Sequence, residues 1–184
     1  KIKSKKHEIK FNGQFSKRIK KNNTILNLLK ILDDSKKLRN QKFLIKINKK
    51  IPQQSGMGGG SMNVASVLNY LIKNKKVELS KKEIVNISAK IGSDVIIGMK
   101  KKNSILYGNG DLKIINKSIN LFTILVKPNF GCSTKEIYNN VRSFSKTVFP
   151  KNHKVNLNFK FLSNLRNDLE FPAFDKHPTL KKIK

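Results

Sequence analysis

Apolar and polar positions along this chain switch between two periods, one of strands and one of helices. Ile9 and Phe11, set among lysines, predict a short strand that stops at Asn12-Gly13, a turn pair. Ile25, Leu28, Leu29 and Leu32 then fall at i, i+3, i+4 and i+7 behind Asn23 and Thr24, either of which can cap a helix with one buried stripe. Phe43, Ile45 and Ile47 alternate with Leu44, Lys46 and Asn48, the period of a strand, and Pro52 stops it. Helical spacing returns at Val64, Val67, Leu68, Leu71 and Ile72. Ser80-Lys81-Lys82-Glu83 is a capping box before a face of Ile84, Ile87 and Ile91.

The second half reads less regularly. Ile97 to Ile115 is expected to be a pair of hairpins, with turns at Lys100 to Asn103 and Gly108 to Asp111. Leu121 to Val126 is expected to be a strand, closed by Lys127-Pro128. Ser133-x-x-Glu136 is a second capping box, opening a helix with Ile137, Val141 and Phe144 on one face and Tyr138 on its flank. From Asn164 through Pro172 and Pro178 the chain is expected to be loop-rich and to reach Lys184 without completing an element.

Composition changes this picture in three ways. With 184 residues and 38% apolar content gathered in clusters, the chain can bury a core as one sizeable domain or two small ones. The longest apolar run, Leu121 to Val126 with Thr123 inside it, is too short to cross a bilayer, so no membrane partner is expected. Cys132 is the single cysteine, which excludes an internal disulfide framework and favours a reducing, cytoplasmic setting. The chain also begins at Lys1 rather than Met, with no signal-like apolar stretch in Lys1 to Lys6, and reads as an internal piece.

Charge changes it once more. Forty Lys+Arg against 11 Asp+Glu give +29, which on its own favours a polyanionic partner. Only Arg18, Arg39, Arg142 and Arg166 are arginines, however, and the excess is Lys spread evenly beside Asn and Ile, residues of A/T-rich codons. No aromatic RNA-binding pattern, zinc-finger spacing or basic zipper accompanies it. Nucleic acid is therefore not the expected partner, although a non-catalytic basic nucleic-acid-binding protein stays open as an alternative.

The candidate chemistry lies in Pro52-Gln53-Gln54-Ser55-Gly56-Met57-Gly58-Gly59-Gly60-Ser61-Met62-Asn63, which leads straight into the helix of Val64 to Ile72. Glycines admit positive φ and close backbone approach, and a glycine-rich turn opening into a helix aims N–H groups and the positive end of the helix dipole at one point. This is an anion cradle. It lacks the Gly-Lys-Ser/Thr of the Walker loop and the spacing of the dinucleotide fingerprint. Further on, Ile91-Gly92-Ser93-Asp94 places a carboxylate before an apolar run, where Asp94 is either a cap or a buried, tuned base.

Four islands together resemble the GHMP superfamily of small-molecule kinases: Ile51-Pro52 to Asn63; Ile91 to Val95; Lys127-Pro128 through Ser133-Thr134 to Tyr138; and Asn167-Asp168-Leu169-Glu170. Within it they resemble the branch that phosphorylates CDP-methylerythritol in the non-mevalonate route to isoprenoid precursors. The resemblance implies a two-domain α+β fold, with an N-terminal nucleotide-binding domain over 1–117 and a ferredoxin-like C-terminal domain over 118–184, both incomplete. It implies ATP and Mg2+ as requirements and phosphoryl transfer to the 2-hydroxyl of 4-diphosphocytidyl-2-C-methyl-D-erythritol. Pro52 to Met62 become the ATP-phosphate loop, Asp94 the general base, and Asn23 and Lys49 the adenosine side. Thr134 and Tyr138 become acceptor-side residues, with the Tyr138 ring stacked on cytosine, and Ser61 becomes the candidate magnesium ligand. Two departures stand out: Met62 replaces a second serine after the glycines, and Ile96-Ile97 replaces Pro-Phe after the aspartate. The family's opening segment with its catalytic lysine and its closing glycine motif would lie outside the chain, so turnover by the fragment alone is not expected. A monomer or weak homodimer is expected, and a homoserine- or mevalonate-type kinase is the neighbouring alternative.

Overall fold

The computed structural model describes residues 5–17, 19, 22–108, 110–116, 120–146, 148–149 and 158–183. Strand β1 (Glu8–Asn12) and strand β2 (Leu44–Asn48) pair in parallel, Ile9 opposite Ile45 and Phe11 opposite Ile47. A parallel pair needs a crossover, and helix α1 (Thr24–Asp34) supplies it. Asn23 caps this helix, its Oδ1 accepting from the Ile25 and Leu26 N–H groups at 3.2 and 3.1 Å. Beyond β2 the chain enters the glycine loop and then three helices, α2 (Gly59–Lys73), α3 (Lys81–Ile91) and α4 (Asp94–Lys100).

One core joins these elements. Ile25, Leu28, Leu29 and Leu32 of α1, Val64, Leu68 and Leu71 of α2, Ile87 of α3 and Val95 of α4 are buried together, with Phe43 and Val77 from the flanking loops. Each such side chain contributes about 1.5–3 kcal/mol through burial. Helices α2 and α4 approach closely because position 98 is glycine: a Cβ there would stand 2.8 Å from Ala65 Cβ and 2.9 Å from Met62 Sδ. The capping box of α3 forms as the sequence requires, Ser80 Oγ accepting from Glu83 N–H and Glu83 accepting from Ser80 N–H. The Lys37 ammonium, together with these Ser80 contacts, holds the Glu83 carboxyl down to about 2.

A three-way polar joint ties the opposite ends of the βαβ unit. His7 Nε2 lies 2.9 Å from Asp33 Oδ2, Lys42 donates to the same oxygen, and Phe43 N–H donates to His7 Nδ1 at 3.2 Å. Burial pushes the Asp33 carboxyl up, but the Lys42 and His7 contacts outweigh it and leave the group below its ordinary value.

The second half departs from the sequence reading at four places. The stretch from Ile97 to Lys100 is not a hairpin arm: it continues α4, because Val95 packs into the core from a helix, and short apolar runs do not separate the two periods. One hairpin does form, β3 (Ser104–Leu106) antiparallel to β4 (Leu112–Ile114). Leu121 to Val126 is not a strand among the described residues; it finds no partner there, and Phe122, Ile124, Leu125 and Val126 are exposed. Helix α5 (Thr134–Asn139) starts where expected, but Ser133 makes no side-chain cap and the helix ends before Val141 and Phe144; Glu136 pairs with Lys176 instead. Nor is the last stretch loop throughout. It holds α6 (Phe159–Ser163), α7 (Glu170–Lys176) and a 3-10 turn at Pro178–Lys182. Pro172 fits inside α7 because it occupies the first turn, where no intrahelical acceptor awaits its missing N–H.

Candidate active site

The loop between β2 and α2 is shaped by three left-handed residues, Gln54 at φ +53°, Gly56 at +71° and Gly58 at +62°. Gly58 is the N-cap of α2, and no side chain caps the helix. The first intrahelical bond runs from Met62 N–H to Gly58 O at 2.9 Å, so the N–H groups of Gly59, Gly60 and Ser61 face out of the helix start with no intrahelical acceptor. No acidic side chain occupies that turn. Dipole and donors therefore converge on one anion-sized point, as the glycine pattern implies.

Three elements close round this point. A Cβ on Gly58 would stand 3.3 Å from Asp94 Oδ2, which places the carboxylate directly against the loop, and a Cβ on Gly92 would stand 3.1 Å from Ser61 Oγ. Thr24 Oγ1 donates to Gly60 O at 3.4 Å, bringing the Asn23 end of α1 to the first turn of α2. Lys49 follows β2 at 9% exposure, and its Nζ would touch a Cβ on Gly59 at 3.2 Å. Burial pushes the Lys49 ammonium below its usual value. No carboxylate among the described residues pairs with it.

The structure adds two details to the sequence reading. Asp94 is not buried: it is exposed at the first position of α4, because a carboxylate is favoured at a helix N-terminus and Val95 takes the core position. Met62 does not present a group to the cradle, since its N–H is spent on Gly58 and its side chain packs on Gly98 of α4. The rest of the loop is polar and self-bonded: Gln53 Nε2 donates to Lys17 O, and Ser55 Oγ donates to Pro52 O at 3.1 Å.

Thr134 and Tyr138, expected on the acceptor side, follow a strap. Cys132 N–H donates to Gln54 O at 2.9 Å, so the segment before α5 hangs on the glycine loop, and Thr134 opens the helix two residues later. Thr134 and Tyr138 are exposed on α5 while Ile137 between them is buried. The fourth island acts differently from the others. Asp168 Oδ2 accepts from Ser145 N–H and Oγ at 2.8 Å each, and Asn167 Oδ1 accepts from Leu169 N–H, so this island ties two loops together. From sequence, Thr24 is legible only as a possible helix cap, and Gly92, Gly131 and Cys132 only as members of islands; none of them carries a local signal for a place beside this loop.

This geometry can be set beside known proteins. Residues 23–102 match the GHMP kinases N terminal domain. Its relatives narrow the likeness. The chain is 52% identical over 181 residues to the 4-diphosphocytidyl-2-C-methyl-D-erythritol kinase of Pelagibacter ubique (strain HTCC1062), covering 98% of this chain and 64% of that protein. It is 35% identical over 147 residues to the enzyme of the same name from Clostridium botulinum (strain Loch Maree / Type A3), covering 76% and 52%. With that of Thermoanaerobacter pseudethanolicus it shares 30% identity over 169 residues, covering 88% and 58%. The chain thus spans 64% or less of the length of these relatives. No helix among the described residues is long and apolar enough to cross a membrane.

Proposed function

We propose that the protein to which this chain belongs transfers the γ-phosphoryl group of ATP to the 2-hydroxyl of 4-diphosphocytidyl-2-C-methyl-D-erythritol. The observation that carries the reading is the uncapped start of α2 with the Asp94 carboxylate set against Gly58. Phosphoryl transfer needs positioning and charge stabilisation more than covalent chemistry. The Gly59, Gly60 and Ser61 N–H groups hold the phosphates and stabilise the charge that develops on them. Asp94, exposed and able to meet a substrate hydroxyl, accepts its proton as general base. Lys49 adds a positive charge under the loop and Asn23 lines the nucleoside side. Thr134 and Tyr138 hold the acceptor, the exposed Tyr138 ring offering a face to cytosine. In the proposed division, residues 1–117 bind nucleotide and 118–184 contribute the acceptor side.

Magnesium fits this site only as a companion of the nucleotide. Among the described residues no group of three or more His, Cys, Asp or Glu side chains could hold a metal. The Ser61 hydroxyl and the Asp94 carboxylate are the oxygen ligands the chain offers beside the loop, and Mg2+ commonly keeps phosphate and water ligands for the rest.

The test is ADP release by the full-length protein with magnesium-ATP and CDP-methylerythritol, with homoserine and mevalonate as control acceptors. Turnover is expected with the cytidyl substrate alone, and Asp94→Asn should lower kcat roughly 10²–10⁴-fold while nucleotide affinity stays within a few-fold. Wild-type turnover by Asp94→Asn would remove Asp94 from the role of base. Equal turnover with homoserine or mevalonate would move the protein to another branch of the superfamily.

A further inference from the structure

We propose that Gly131 is a positioning residue of this site, a clasp that fixes the phosphate loop by fitting against Gln54; this rests on the kinase reading above. Three observations meet there. Gln54 holds a left-handed φ of +53° although it is not glycine, a conformation that the surroundings must enforce. Its carbonyl receives the Cys132 N–H at 2.9 Å. A Cβ on Gly131 would stand 2.8 Å from Gln54 Cβ and 2.9 Å from Gln54 Oε1, so any larger residue at 131 must displace the loop. Gln54 Cβ is fixed by the backbone and cannot swing aside as Oε1 can. Position 131 is thereby restricted by the shape of a loop residue 77 positions earlier, counted from the two residue numbers. The clasp also links the two sides of the reaction: Gln54 lies in the ATP loop, and Thr134 begins α5 three residues after Gly131.

The partner variant follows from the same geometry. Gln54→Gly removes both atoms that the new Cβ would meet, leaves Gln54 O at an ordinary 3.4 Å, and suits a left-handed φ. In the full-length protein Gly131→Ala should raise the apparent KM for ATP roughly tenfold with a much smaller change in kcat, as expected for a displaced binding loop. Hydrogen exchange at the Cys132 amide should accelerate in the same variant, without nucleotide present. Adding Gln54→Gly should bring both readouts back to those of Gln54→Gly alone. Unchanged ATP saturation and unchanged Cys132 exchange in Gly131→Ala would overturn the clasp, as would a loss that Gln54→Gly fails to rescue. If the wild-type protein neither binds ATP nor turns over, the kinase reading falls, and the exchange measurement still decides whether Gly131 and Gln54 are fitted to each other.

Discussion

The stretch from α1 to α4 and the stretch after β4 have similar apolar content in local patches but opposite fates for it. In the first, Leu28, Leu29, Leu32, Leu68 and Val95 are fully buried, and nearly every helix meets two others. In the second, Ile137 is the buried aliphatic side chain of α5, while Phe122, Phe144, Phe159 and Phe171 are exposed among the described residues. The difference lies in the partners available. Helices of 11, 15 and 11 residues present whole apolar stripes to one another, whereas helices of five to seven residues present a turn or two. The glycine loop is built on the stretch that packs, and the segment leading to Thr134 reaches it through the backbone contact at Gln54. A loop on a packed base beside a sparsely covered arm follows from where the chain can bury its apolar residues.

Matched substitutions in the two stretches test this contrast most strongly. Leu28→Ala should lower stability by about 2–5 kcal/mol, because it opens a cavity where α1 meets the other helices. Phe122→Ala removes a larger side chain but should change stability by no more than about 0.5 kcal/mol, since that ring is fully exposed. Denaturant midpoints of the two variants at constant m-value decide it. A large loss from Phe122→Ala would mean that the ring is covered in solution and that the second stretch has a core of its own.

The same contrast governs what the sequence discloses. Helices α1, α2 and α3 are legible because their stripes are long and their ends carry Asn23, the glycine loop and the Ser80–Glu83 box, all local signals. The phosphate loop is legible for the same reason: its glycines and its helix are contiguous. The arm expected from Ile97 misleads because a short apolar run fits either period, and only contact with Ala65 and the rest of α2 selects the helix. Ser133-x-x-Glu136 misleads because Lys176, 40 residues away, captures the Glu136 carboxylate. Asp94 is legible as a carboxylate before an apolar run but not in its exposure, which depends on which neighbour takes the core position. The burial of Lys49 and the fit of Gly131 to Gln54 lie between distant segments and leave no periodic trace.

Ion pairs extend the comparison at smaller amplitude. Asp33 sits in the packed stretch and binds both Lys42 and His7, whereas Glu136 binds Lys176 on the surface of the second. Asp33→Asn should lower stability by about 1–2 kcal/mol near neutral pH, and Glu136→Gln by about 0.5 kcal/mol or less. The Asp33 carboxyl is held below its ordinary 3.8 in the folded chain, so its stabilisation is present above that value. It is lost as pH falls through the folded value, where both states take up the proton. The gap between wild type and Asp33→Asn should therefore close on acidification in melts from pH 7 to pH 3. A gap that stays constant would mean that the joint is held by shape rather than by charge.

Lys49 sharpens the comparison from inside the packed stretch, because there the site and the core want different things. Its ammonium is nearly buried beneath Gly59 with no carboxylate partner among the described residues, an arrangement that burdens the fold by itself and, under the proposed function, serves a bound polyphosphate. Lys49→Met keeps most of the side-chain volume and removes the charge, so it should raise stability by about 1 kcal/mol while weakening nucleotide binding. The sign with pH follows from the lowered value of the group. Below its folded value both states are charged and the penalty is complete; above the usual lysine value of 10.5 both are neutral and it vanishes. Wild type should accordingly gain on Lys49→Met as pH rises toward the lysine range, and saturating magnesium-ATP should reverse their order at neutral pH. Melting both proteins with and without nucleotide checks each part. If Lys49→Met proves less stable than wild type without ATP, the ammonium supports the fold itself, and the loop owes its shape to that charge rather than to the glycines alone.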